Sequence, residues 1–153
     1  MKRVISFLLI MLTVLAASAK KDEGLNYEIQ GAGVGSQGTY LVKVTVITKD
    51  KKLPDADLKL AAVHGVLFRG FSGERGSQKA LAGSPTNEAQ HADFYKDFFK
   101  SGASAYAAIV PGSRQVVKSG KEYRVSCNVT VNKDQLYKDL VDAGVIKGLN
   151  AIF

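Results

Sequence analysis

His64 and His91 are the only imidazoles of this 153-residue chain, and Cys127 is its only thiol. A zinc site needs three or four ligands at compatible spacing. Two histidines 27 positions apart, with no H-E-x-x-H pair, do not supply one, so no metal is expected. His64, flanked by Val63 and Gly65, reads as a core-edge histidine. His91, with Glu88 and Asp93 nearby, reads as the surface start of a helix. A nucleophilic cysteine needs exposure and a histidine partner. Cys127 instead sits in the alternating run Tyr123-Arg-Val-Ser-Cys-Asn-Val-Thr-Val131, where a small apolar strand residue is expected. Being single, it forms no internal disulfide, though an oxidising compartment permits an intermolecular one.

Asp93 and Asp97 lie four apart, on one face of a helix. A paired-carboxylate hydrolase uses two such groups, and a solvated face opposite phenylalanines accounts for the same spacing. Ser72-Gly73-Glu74 and Gly83-Ser84-Pro85 do not fit the G-x-S-x-G elbow. No catalytic residue is assigned on these grounds. Gly33, Gly35 and Gly38 match the G-x-G-x-x-G spacing of a dinucleotide loop. That chemistry requires a helix N-terminus after the glycines to receive phosphate. Here the β-branched run Thr39 to Thr48 follows, so a hairpin tip is expected and no cofactor.

Binding is the better prospect. Arg69-Gly-Phe-Ser-Gly-Glu-Arg75 mixes charge, glycine and an aromatic before a polar stretch, Ser72 to Gln90, that reads as one long loop. Long loops inside small domains are functional or mobile, and polar loops on a rigid scaffold concentrate binding residues. His91 to Phe99 then reads as a short helix with an aromatic face built on Phe94, Phe98 and either Tyr95 or Phe99. The binding set expected from these features is Arg69, Phe71, Arg75, Gln78, His91 and Phe94.

The elements that must position them follow from periodicity. Asn26 to Val34 begins as a strand and turns glycine-rich. Gly38 to Lys49 alternates strongly, with Tyr40, Val42, Val44 and Val46 on one side. Pro54 opens a helix whose first turn carries Asp55 and Asp57, where negative charge suits the exposed N–H groups. That helix runs to about Gly70, and Gly65 inside it calls for a close approach to the sheet. Ala103 to Val110, Gln115 to Lys118 and Glu122 to Val131 read as three strands, the last alternating cleanly, as in an antiparallel sheet wet on one side. Asn132 with Gln135 forms a helix cap, Gly144 a left-handed stop, and Val145 folds back on the last turn. The apolar tail Leu149 to Phe153 is expected to dock. The order predicts an α+β fold, a mostly antiparallel sheet of about five strands with helices packed on one face.

Met1-Lys-Arg3, the apolar run Val4 to Leu15 and Ala17-Ser18-Ala19 have the order of a secretory signal. The apolar run is about 12 residues, where a spanning helix needs about 20. Residues 1–19 are therefore expected to be cleaved, leaving a single domain, 20–153, with no transmembrane segment. The net charge of +7 includes Lys2 and Arg3, so the mature domain keeps +5, spread without a dense basic block. Export and this even spread argue against nucleic acid as a partner.

Two stretches carry a resemblance. Asp55 to Phe71 resembles the alanine-containing first helix of small envelope domains of the TolB N-terminal and FlgT kind. Gly120 to Leu136, continuing to Gly144, resembles their closing strand and helix. The chain is also similar to small uncharacterised exported proteins of Gram-negative anaerobes. The resemblance implies a periplasmic module that binds other envelope components. Export, single-domain size, the lack of a catalytic constellation and a polar loop beside an aromatic helix point to a non-enzymatic binding or assembly module, with another envelope protein or a cell-wall component as partner. A small wall-directed hydrolase using Asp93, Asp97, His64 or His91, and a carrier holding an apolar ligand under the Phe94–Phe99 helix, are the alternatives.

Overall fold

The computed structural model describes residues 25–83 and 86–148. The proposed export signal, residues 1–19, and the tail from Leu149 lie outside the described residues. Five strands form one antiparallel sheet: β1 (Tyr27–Gly31), β2 (Tyr40–Thr48), β5 (Ala107–Ile109), β6 (Gln115–Ser119) and β7 (Glu122–Val131). β7 is central. It pairs β2 along nine residues on one side, and on the other it pairs β5 and then β6.

Alternation sorts the two faces as expected. Val42, Val44 and Val46 of β2 meet Val125, Cys127, Val129 and Val131 of β7 in the core. Burying a side chain of this size contributes roughly 1.5–3 kcal/mol, so this double row is the largest apolar block of the sheet. Helix α1 (Asp55–His64) lies on it through Leu58, Ala61, Ala62 and Val63. Helix α4 (Lys133–Asp142) adds Leu136 and Leu140. Asn132 caps α4 by accepting from the Gln135 N–H at 3.3 Å, and Gly144, at φ 73°, turns the chain so that Val145 folds back. The opposite face, with Glu28, Lys43, Thr45, Arg124 and Ser126, is left without a covering layer among the described residues.

α1 does not continue as an α-helix to Gly70. Gly65–Arg69 winds as a π-turn, closed by the Gly70 N–H donating to Gly65 O at 2.9 Å. The close approach expected at Gly65 is present. A Cβ there would stand 2.6 Å from Ile29 Cδ1 on β1.

Two further readings from periodicity are corrected. Ser72 to Gln90 is not one loop: Phe71–Gly73 (β3) and Gly76–Gln78 (β4) form a hairpin, and Asn87–Gln90 (α2) is a helical turn. Three-residue strands that are exposed throughout β4 carry no apolar alternation, so nothing in the sequence marked them. Ala103 to Val110 is a strand only from Ala107. Ala103–Tyr106 is a 3₁₀ turn, with Ala103 fully buried. Small residues give no period by which to separate the two.

β5 and β6 behave as one edge strand with a break. At the break, Ser113 Oγ donates to Val110 O at 2.6 Å and accepts from the Asn128 N–H at 3.0 Å. The hydroxyl thus fills the rung that the backbone leaves open.

Candidate functional site: a groove between two glycine segments

The glycine turn after β1 and the β3–β4 ribbon face each other across a groove of about 560 Å³. One wall is Gly31 to Gly35. The other is Phe71 to Gly76, and Tyr40, Leu41 and Gln78 line the space between them. The walls meet at two glycines. A Cβ on Gly73 would lie 3.0 Å from the Gly31 Cα, so side chains here would push the ribbon off β1. The Phe71 ring stands edge-on to Tyr40 at 5.0 Å, and the Tyr40 hydroxyl donates to Gln78 Oε1 at 3.3 Å. The Gln78 amide N–H₂ and the Arg75 guanidinium remain on an exposed ribbon, beside Glu74. The groove combines an aromatic surface, planar amides and charge of both signs. It can hold a polar ligand or chain that also presents a flat apolar face.

The six expected binding residues divide. Phe71, Arg75 and Gln78 line this groove. Arg69 lines a shallower neighbouring cleft with Phe71 and Gln78. Its guanidinium lies 4.0 Å over the Tyr27 ring and donates to Tyr27 O at 2.9 Å, which fixes it. His91 and Phe94 line neither. His91 joins α2 to α3 (Ala92–Ser101), and Phe94 stacks on Phe98 at the outer side of α3. Gln30, Thr39, Tyr40 and the glycine segment were not in the expected set. Their only sequence signal was the run of glycines itself.

The histidine and acid groups have other employment. Tyr27 Oη lies 2.5 Å from His64 Nδ1, and His64 Nε2 lies 3.1 Å from Glu88 Oε1. With Glu88 accepting, Nε2 carries the ring hydrogen, and Nδ1 accepts a hydrogen bond from the Tyr27 hydroxyl, which keeps its proton. The His64 ring is edge-on to Phe68 at 4.9 Å and tilted over Phe99 at 5.5 Å. This confirms a core-edge histidine and ties β1, α1 and α2 together. Asn87 was not foreseen. It is buried, accepts from the Tyr95 hydroxyl at 2.6 Å and donates to Val145 O at 2.8 Å. Tyr95, the buried aromatic of α3, also stands edge-on to Phe68 at 4.9 Å.

Burial pushes the Tyr27 and Tyr95 hydroxyls up to about 12. Burial, with a hydrogen bond to Asp139, does the same for Tyr106. Burial raises the Cys127 thiol to about 11, which keeps it protonated and inert at neutral pH. Among the described residues no group of three or more His, Cys, Asp or Glu side chains is placed to hold a metal ion, and no helix is long and apolar enough to cross a membrane.

The fold defines an α+β protein with one helix-covered and one open sheet face. No family model, no curated protein and no solved structure matches the chain.

Proposed function

We propose that the chain is an exported, non-enzymatic binding or assembly module of the bacterial cell envelope, acting in the periplasm. The groove between the glycine turn and the β3–β4 ribbon is its binding surface. The observation that carries this reading is the convergence of Phe71, Arg75 and Gln78 with Tyr40 on one groove. The secretory pattern of residues 1–19 and the resemblance of 55–71 and 120–144 to envelope domains support the compartment. The employment of His64 and Glu88 in a link between β1, α1 and α2 favours binding over hydrolysis.

The test is cross-linking in intact envelopes, followed by recovery of the chain with its partners. An envelope protein or wall fragment should be recovered with the native chain and lost with Phe71→Ala plus Arg75→Ala. Recovery of the bare chain from both would count against the proposal.

A further inference from the structure

β6 is the one strand of the main sheet exposed at every position. It carries two adjacent exposed valines, Val116 and Val117, the latter 58% exposed. The direction of its backbone groups can be fixed. Ser119 pairs with Glu122 across the two-residue turn Gly120-Lys121, with Gly120 at φ 63°. In such hairpins the flanking pair exchanges hydrogen bonds. The same phase follows from Asn128, whose N–H and C=O bond Ser113 and Val110 on this side of β7. Two-residue steps from Asn128 therefore turn Ser126, Arg124 and Glu122 toward β6. Their partners Gln115, Val117 and Ser119 are turned inward. Val116 and Lys118 then point their N–H and C=O groups away from the sheet, as an open rung for another strand.

We infer that this edge pairs antiparallel with β6 of a second copy of the chain, about a two-fold axis at Val117, to give a sheet that continues across a dimer. Three registers centred within the strand engage the outward groups. Val116 opposite Val116 sets Lys118 against Arg114, and Lys118 opposite Lys118 sets two cations face to face. Like charges directly opposite destabilise a strand pair. Val116 opposite Lys118 avoids both and closes four backbone hydrogen bonds.

In that register every facing pair matches. Val117 meets Val117 on the open face, and Gln115 meets Ser119, amide to hydroxyl. On the helix face, Val116 lies along the aliphatic stem of Lys118. That lysine also lands one step from Arg114, whose guanidinium donates to Asp55 Oδ1 at 2.6 Å. The Asp55 side chain is 64% exposed, so the second copy's Lys118 finds a carboxylate there. Five residues of edge bury less than the roughly 800 Å² per partner of a standard interface. The dimer accordingly dissociates on dilution.

Sedimentation of the purified chain over a wide concentration range should show mass rising toward twice the monomer. Val117→Cys should form a reducible dimer under mild oxidation at least tenfold faster than Val34→Cys, an equally exposed control in the glycine turn. Native Cys127 is buried and takes no part. Val116→Pro removes an outward donor and none of the β6–β7 bonds, so it should weaken self-association at least tenfold with an unchanged circular dichroism spectrum. Monomer at every concentration would overturn the inference. So would Val117→Cys linking no faster than the control, Val116→Cys linking to itself preferentially, or a monomeric chain that captures only extended segments of other proteins.

Discussion

Tyr27 Oη and His64 Nδ1 are 2.5 Å apart, although 37 residues separate them in sequence. The pair is the bolt between the edge strand β1 and the helix above it, and Glu88 extends it to α2. Tyr27→Phe leaves the His64 acceptor without its donor in a half-buried site. A partner left unsatisfied costs about 1–3 kcal/mol. Urea unfolding should show a loss in that range for Tyr27→Phe. Glu88→Gln, which keeps an acceptor at 44% exposure, should lose less.

Gly65→Ala tests the contact between α1 and β1. The added methyl meets Ile29 Cδ1 at 2.6 Å and Cγ2 at 3.1 Å. Overpacking of this kind costs about 1–3 kcal/mol. Ile29→Val removes the nearer atom and keeps the other. The double variant should therefore lose less stability than the two single losses combined, as read from paired thermal or urea melts.

Stability should fall on the alkaline side. Tyr27 and Tyr95 are raised from 10 to about 12 by burial, and Cys127 from 9 to about 11. The native state thus holds protons that the unfolded chain releases. The stabilisation is complete below pH 9, declines as pH rises through 9–11 for the thiol, and declines through 10–12 for the tyrosines. Unfolding free energy measured from pH 7 to 12 should drop across that window. In Cys127→Ala, stability is lower overall, but the part of the decline between pH 9 and 11 shrinks.

The groove residues should separate binding from folding. Arg75 and Gln78 sit on an exposed ribbon, where substitutions change stability by no more than about 0.5 kcal/mol. Arg75→Ala and Gln78→Ala should leave the melting temperature within a few degrees of native and reduce partner recovery from envelopes. Gly73→Val presses on the Gly31 backbone, and should reduce recovery as strongly by displacing one wall.

Processing is open to a direct measurement. Expressed in a Gram-negative host, the chain recovered from the periplasm should begin at Lys20, with the mass of residues 20–153 by intact mass spectrometry. A chain that retains Met1 in the membrane fraction would remove the cleavage reading, and one that retains Met1 in the cytoplasm would remove the export reading.

The sequence by itself determined the elements whose period is long enough to read. β2 and β7 alternate over nine and ten residues, and that alternation alone assigns their valines to the core. The cap at Asn132 and the stop at Gly144 were legible because each is a local backbone requirement met by one residue type. The α+β class followed from the order of these elements. Tertiary structure decided the site. β3 and β4 are held by a glycine-to-glycine contact across 42 positions of sequence, from Gly31 to Gly73, which no local pattern encodes. The same holds for His64. Its neighbours Val63 and Gly65 mark it as a core-edge residue, but its partners Tyr27 and Glu88 arrive from other elements. Hydrogen bonds and close backbone approaches depend on distances that only the packed chain sets. The site was therefore hidden where the period was short, and the scaffold was plain where it was long.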